Sequence, residues 1–411
     1  MEVPGGAFQA PEVGQPALRW SSRTRTIAGI EAELARMWAA APLTVTGEDG
    51  TPGRHVAART SVMNLVVIAR RPEIGEHASA VIRMLAGRHP SRALVVSSAD
   101  PDGPSWLDAH VQAHCILPRA DAAETCAELI DLTAGGESGR HLAAIVAPLL
   151  IHDLPVTLWW PGDPPLASRQ AIDLLQMSDR LVVDGSAWSG DGLDRLGALS
   201  AIVANRNLGD GHVAVSDFAM LRQSRWREAI ASSFDRPELR PFLGDIGAIT
   251  VRYAAHSGAG AGGTNVIKPL YHVAWLASRL EMTVAEPLRL VPSDAGDPAG
   301  LGASFAGTLR ASRRRIAARL VPVESPMPPG TTLALELGAQ RRSGTVEVTV
   351  TAEAEAVIVR AACDGRAMPA RRFMAPRRTE VELLAETIES VGRDPLASAA
   401  LLTAAELVGR A

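Results

Sequence analysis

The sequence predicts two folded parts in series: an α/β domain with a mixed, partly parallel sheet, then an α+β domain with an antiparallel sheet. Three observations predict it. First, 411 residues, 47% hydrophobic and 21% charged, is ordinary globular composition, and at roughly 150 residues per domain it is too long for one core. Second, from Arg59 to residue 210 short apolar runs alternate with stretches of helical period, the pattern of strands joined by crossover helices. Third, residues 286–362 read as successive strands with no helix between them. The expected partition is an extension over 1–58, the α/β domain over 59–210 and the α+β domain over 211–411.

Residues 1–26 read as an unstructured lead-in. Ile27, Ile30, Leu34, Met37 and Trp38 fall on one stripe, so Thr26–Ala40 is expected to be an amphipathic helix. Pro42–Arg54, rich in Thr, Gly and Pro, reads as a linker. Val62–Ala69 is a buried strand, Glu76–Ala86 a helix closed by Gly87, and Ala93–Ser98 a second strand. Leu107–Leu117 has period two, with Asp108, His110, Gln112 and His114 on one face and apolar residues with Cys115 on the other. Helices are expected at Ala122–Thr133 and His141–His152. Strand Leu154–Trp160, helix Ala167–Met177, strand Arg180–Asp184 and helix Gly192–Asn205 follow. Beyond them come helix Arg225–Ser233, strand Ile246–Ala254, a Gly-rich loop Ser257–Gly263 and a long helix to Leu280. Strands are expected at Gly302–Leu309, Thr331–Leu337, Thr345–Thr351 and Ala356–Ala361, and two closing helices at Glu380–Val391 and Pro395–Val408.

Composition excludes several functions. A net charge of −4 argues against a polyanion-binding chain as a whole. The longest apolar stretch, Ala143–Ile151, is far short of the ~20 residues a membrane span needs, and the start lacks the apolar core of a secretory signal. Three cysteines make no disulfide framework, so a reducing cytoplasm is the expected setting and three free thiols the expected state.

Candidate sites are few. His110 and His114 lie four apart on a strand, so their Cα atoms sit ~13 Å apart, too far to share one ion readily. Cys115, Cys126 and Cys363 form no CxxC; the first two fit apolar patterns as core residues, with thiol regulation as the alternative. The loop SGAGAGG, with Gly260, Gly262 and Gly263, sits where phosphate-binding loops sit, and Lys268, the only lysine, follows it. It lacks the GK[ST] ending. Residues 301–378 carry thirteen Arg against six acidic residues, with Arg313–Arg315 in a run. Only Phe305 and Phe373 could stack on bases there, so a solvated face or a surface for an acidic protein is favoured over nucleic acid. His152 and Asp153 are neighbours on an extended chain and point apart. No nucleophile–base or metal-ligand pattern stands out, so no catalytic residue and no cofactor is expected.

Two segments remain. Arg88-His89-Pro90-Ser91-Arg92 enters a strand. Trp159-Trp160-Pro161-Gly162-Asp163-Pro164-Pro165 leaves one at its C-terminal end, where α/β folds place ligand sites. Its prolines make a stiff turn, Gly162 is placed for a φ that other residues avoid, and one Trp is expected in the core while the other, or the turn, meets a partner.

Together RTSVMNLVVI (Arg59–Ile68), RHPSR, PLLIHDLPVTLWWPGDPP (Pro148–Pro165) and RLVVD (Arg180–Asp184) resemble the glucose-6-phosphate dehydrogenase assembly protein family, OpcA. Leu221–Asp235, Ala274–Leu280, the helix ending at Trp38 and Gly392–Leu402 are similar to its further blocks. The resemblance implies a non-catalytic partner protein that binds the oligomeric dehydrogenase, promotes its assembly or activation, and brings no catalytic residues. The rival is a sugar-phosphate-binding enzyme or sensor built on the Gly-rich loop and the Arg-rich strands.

Overall fold

The computed structural model describes residues 16–39, 42–46, 52–56, 58–59, 61–100, 102–116, 125–204, 212–256, 263–291, 301 and 304–410. In chain order the elements begin β1 (Pro16–Thr24), α1 (Ile27–Ala39), β2 (Pro42–Thr46), β3 (Pro52–Val56), β4 (Ala58–Arg59), β5 (Asn64–Ala69), α2 (Pro72–Leu85) and β6 (Arg92–Ala99). Next come β7 (Trp106–Ile116), β8 (Thr125–Gly135), α3 (Gly136–Arg140), α4 (Leu142–Val146), β9 (Val156–Trp160), α5 (Arg169–Gln176), β10 (Arg180–Val183) and α6 (Asp194–Val203). Then follow β11 (Ala214–Asp217), α7 (Phe218–Leu221), α8 (Ser224–Ser233), β12 (Ile246–Ala255), α9 (Ile267–Arg279), β13 (Thr283–Val291), β14 (Ser304–Ala311) and β15 (Arg314–Glu324). The chain closes with β16 (Thr332–Arg341), β17 (Gly344–Ala352), β18 (Ala356–Cys363), β19 (Arg366–Ala367), β20 (Arg371–Met374), α10 (Glu380–Glu389) and α11 (Pro395–Leu407).

Two compact units result, and they interleave in sequence. One comprises 1–161, 168–181 and 380–390; the other comprises 162–167, 182–379 and 391–411. The contiguous partition at 210/211 expected from pattern differs because α10 returns to the first unit and the chain crosses over inside β10.

The first unit carries strands in the order β1-β7-β8-β6-β5-β9. β6 pairs in parallel with β5 and β8, β5 in parallel with β9, and β7 antiparallel to both β1 and β8. β5 is buried at every position, as a strand covered on both faces must be. α2 packs on β5, β6 and β8, and α10 packs on α2.

Four expectations are corrected here. Part of the supposed lead-in is β1, which pairs with the edge of β7 and so covers backbone groups that would otherwise stay open. The supposed linker contains a two-stranded sheet, β2 with β3. The helix expected at Ala122–Thr133 is strand β8 from Thr125 on: its Ala, Glu and Leu favour helix locally, but β6 and β7 pair with it on either side, and tertiary pairing overrides propensity. The helix expected at His141–His152 stops at Val146 and tightens to one 3-10 turn, where Pro148 cannot donate to a longer helix.

The second unit holds a mostly antiparallel sheet, β13-β14-β15-β12-β16-β17-β18-β19, with β20 also on β18 and one parallel pair, β12 with β15. β13 and β15 were not among the expected strands. Yet β15 alternates strictly, Ile316, Ala318 and Leu320 buried against Arg315, Ala317 and Arg319 exposed. α9 packs on β12, α11 on α9 and α6, and α8 on β17 and β18. α9 is buried almost all round, down to Tyr271 and His272 at 0% exposure.

Candidate functional site

The turn after β9 starts from two buried indoles. Trp159 and Trp160 are each 1% exposed, so β9 is covered on both faces and neither Trp presents itself to a partner. The expectation of a contact Trp is corrected on that point. Gly162 has φ +81°, a backbone state that side chains resist. Asp163 accepts a hydrogen bond from Ser189 N at 2.8 Å and pairs with Arg195 at 2.9 Å, so its carboxylate braces the turn. Pro164 is buried, Pro161, Gly162 and Asp163 half-buried, and Pro165 exposed. What is accessible is a braced rim: Gly162 and Asp163 in part, and Pro165, over a buried Pro164.

In the second motif, Arg88 is exposed and pairs with Glu389, which His89 also meets at 3.1 Å. Ser91 and Arg92 are buried. Arg92 is 4% exposed and binds Glu128, at 0% exposed, through Nε to Oε2 at 2.5 Å; its NH1 donates to Leu149 O at 2.9 Å. Trp38 Nε1 donates to the other oxygen of Glu128. This is a buried, fully partnered ion pair that ties α1, β6 and β8 together. Sequence reading missed Glu128 because its segment was assigned to a helix.

On the opposite face of β7 and β8 lies a second polar group. His114 Nε2 donates to Gln112 Oε1 at 2.8 Å, and Gln112 Nε2 donates to His110 Nδ1 at 3.0 Å and to Asp131 Oδ2 at 2.9 Å. His110, accepting at Nδ1, donates from Nε2 to Ser21 Oγ at 2.7 Å, and Ser79 donates to Asp131. The two histidines are thus joined through Gln112. Burial lowers the His114 pKa to about 4, with Arg83 and His110 adding to it. Burial also lowers that of His110 and raises that of Asp131. A cavity of about 290 Å³ opens beside them, lined also by Arg23, Arg83 and Ser97.

Cys115 and Cys126 are direct cross-strand partners on β7 and β8 and form a disulfide, with Cα atoms 4.0 Å apart. This overturns the expectation of three free thiols. Both cysteines are buried as expected, but Cys126 is on a strand beside Cys115 rather than on a following helix. Cys363 is free.

In the second unit, Asp184 follows β10 and Asp217 is the last residue of β11. Asp217 is buried and accepts from Tyr271 OH at 2.6 Å, Gly185 N at 2.9 Å and Ala219 N at 2.8 Å. Burial and the nearby Asp184 charge raise its pKa to about 6. Asp184 pairs with Arg222 at 2.7 Å. Lys268 lies in the first turn of α9, half-buried, and burial with the neighbouring Arg222 lowers its pKa. Gly260 and Gly262 lie outside the described residues; Gly263 is exposed. Asn265 Oδ1 already accepts from Ile267 N, and its amide donates to Gly185 O and Trp188 O, so the helix start is partly occupied by the chain itself. Among the described residues no group of three or more His, Cys, Asp or Glu could hold a metal ion, and no helix is long and apolar enough to cross a membrane.

Family models described as the N-terminal and C-terminal domains of the glucose-6-phosphate dehydrogenase subunit match residues 82–199 and 213–401. The chain belongs to the OpcA family of glucose-6-phosphate dehydrogenase assembly proteins. Curated OpcA relatives, each named as an OxPP cycle protein, come from Synechocystis sp., 25% identical over 206 residues, and Synechococcus elongatus, 25% identical over 198 residues. The matches take in 50% and 48% of this chain but 40% and 41% of those proteins. Among solved structures, an oxidoreductase from Sinorhizobium meliloti aligns with TM-score 0.46 at 12% identity, over 85% of this chain and 97% of that one. Levoglucosan dehydrogenase in complex with NADH and L-sorbose aligns with TM-score 0.43 at 10% identity, over 85% and 91%. Likeness at that level carries no functional argument.

Within this OpcA chain the two motif blocks do different work. RHPSR ends in the buried Arg92–Glu128 pair, which is a folding role. The WWPGDPP block buries its first half and leaves a stiff rim at its second.

Proposed function

We propose that this chain is a non-catalytic partner of glucose-6-phosphate dehydrogenase, binding the oligomeric enzyme and promoting its assembly or activation in the oxidative pentose phosphate pathway. Membership in the OpcA family carries the reading. The polar clusters support it, because their groups are committed to one another: Arg92 to Glu128, Asp163 to Arg195, Asp217 to Tyr271. A cytoplasmic location is part of this proposal and rests on the partner alone, because the Cys115–Cys126 bridge removes the argument from free thiols.

The rim Gly162–Pro165 is the proposed contact segment. It is rigid, so little entropy is lost when it is bound. The test mixes the full chain with its own organism's dehydrogenase and measures rate and complex mass together. Pro165→Glu, at the exposed end of the rim, is expected to keep the wild-type melting point, and Asp163→Ala, which removes the brace to Ser189 and Arg195, to lower it modestly. Both are expected to lose binding by ~tenfold or more, the scale of a hot-spot contact. Normal binding by both variants would remove the rim from the interface. Turnover of glucose 6-phosphate by the chain alone, lost on Lys268→Ala, would favour the rival enzyme reading.

A further inference from the structure

The Arg-rich stretch noted in the sequence is gathered by the fold of the second unit to one end of its sheet. β14 and β15 are joined by Ser312-Arg313, and β16 and β17 by Arg342-Ser343, each a two-residue turn. β12 lies between β15 and β16, parallel to one and antiparallel to the other, so both turns sit beside the start of β12 and Asp245 just before it. Asp245 holds two guanidiniums at once. Arg314 binds one carboxylate oxygen and also Gly244 O at 3.3 Å; Arg341 Nε lies 2.9 Å from the other, and its NH1 donates to Pro241 O at 2.8 Å. Arg341 also stands over the Phe242 ring at 6.0 Å. Arg315 pairs with Glu286.

Arg313 and Arg342 are different. Both are exposed at the turn tips, and neither has a hydrogen-bond or ionic partner among the described residues. Between the hairpins runs an open groove of about 660 Å³, lined by Asp245, Arg314, Gln340, Arg341, Arg342 and Ser343. It adjoins a second hollow of about 540 Å³, which Gly247 and Gly338 help to line and where a Cβ added at Gly247 would meet nothing within 4 Å.

We propose that this end of the sheet docks an acidic polypeptide segment, with Arg313 and Arg342 as its two free clamps and Arg314 and Arg341 held ready between them. A guanidinium presents donors in a planar fork that a carboxylate accepts in pairs. Arg314 and Arg341 are already oriented by Asp245, so fewer side-chain rotamers need fixing on binding. A protein surface is favoured over nucleic acid on two grounds. Glu286, Glu347 and Asp245 are interspersed with the five arginines, a mixed pattern that a protein can complement and a phosphate chain cannot. The nearby aromatic, Phe242, is 5% exposed and offers no face for a base to stack on. The surface needs no catalytic role for the chain, but it rests on the reading that the chain works by binding a protein partner.

The test is the double variant R313E/R342E of the full chain, with Arg393→Glu as a control at an exposed position outside the two hairpins. Binding is measured to glucose-6-phosphate dehydrogenase, to a fluorescein-labelled deca-glutamate peptide, to a 20-base-pair DNA duplex and to inorganic phosphate, each at low and physiological salt. The expected result is an unchanged melting point and a ~tenfold or greater loss of affinity for dehydrogenase and peptide, with weaker salt dependence, while the control binds normally. Equal binding by wild type and double variant overturns the proposal. So does tighter binding of the duplex than of the peptide, which would make the surface a nucleic-acid site, or binding of phosphate alone. If wild type binds the peptide in an arginine-dependent way but not the dehydrogenase, the docking surface stands and the functional reading falls.

Discussion

Arg92 and Glu128 show what one buried pair asks of its surroundings. With side chains 5% and 0% exposed, neither charge has water to fall back on. Arg92→Ala or Glu128→Ala is expected to cost about 3–5 kcal/mol, because each leaves one charge buried and unmatched. Replacing both, as Arg92→Met with Glu128→Leu, should cost clearly less, which urea denaturation of the three variants would measure. Trp159→Ala and Trp160→Ala should each cost about 3–5 kcal/mol as core truncations, so a melting point within a few degrees of wild type would contradict the burial.

Two other buried residues, both in the second unit, pull stability in opposite directions with pH. Asp217 in the folded chain keeps its proton up to about pH 6, against an ordinary value of 3.8. The folded state therefore binds the extra proton between those values, and this group's contribution falls as pH rises through them. His272, fully buried against Trp226 with ring centroids 5.1 Å apart, has its pKa lowered by burial from 6.5 to about 3. Its contribution is complete above pH 6.5 and is lost as pH falls toward 3. Asp217→Asn should thus steepen the loss of stability between pH 6 and 4, and His272→Phe should flatten it. Denaturant midpoints across that range would check both, and the same slope in both variants would refute the assignment.

Among the elements, β8 is the instructive one. Its residues have helix-forming composition, and Glu128 and Asp131, three apart, would share a helix face; on the strand they lie on opposite faces, one in the Arg92 pair and one beside His110. Placing β8 beside β7 also brings Cys126 to Cys115. Thiol titration of the unfolded, unreduced protein should find one free thiol, Cys363, rather than three. Cutting the bridge with Cys115→Ala and Cys126→Ala should lower stability by about 2–3 kcal/mol, the lower part of the usual range because the bridge closes only a short loop. The hairpins of the second unit make the same point from the other side. A run of arginines in sequence carried no position until β15 and β16 took places on either side of β12.

At the scale of the whole molecule, the chain is two units interleaved in sequence, and among the described residues the rim at Gly162–Pro165 and the arginine-tipped hairpins are the accessible features proposed as contacts. On the proposed reading the chain acts by occupancy and not by turnover. Activation of the dehydrogenase should therefore saturate at a fixed molar ratio of the two proteins and stay independent of incubation time, which a titration of rate against added chain would show. Continued gain at trace ratios would mean chemistry by the chain instead.

Amphipathic period and apolar runs were enough to place α1, α2, β5, β6, β9, α5 and α9, because each is buried in a pattern that its own residues spell out. The blocks RTSVMNLVVI, RHPSR, PLLIHDLPVTLWWPGDPP and RLVVD together were enough to indicate the family. What each motif does came only with the fold. Sequence could not say that both tryptophans are covered, that Arg92 has a buried carboxylate, or that Cys115 faces Cys126. The Arg92 pair spans 36 positions of chain, and even Cys115 and Cys126, only 11 apart, meet only because the segment of Cys126 is a strand beside β7. Local propensity has no term for such pairings; strand neighbours supply it, and at β1 and β8 they decided the structure.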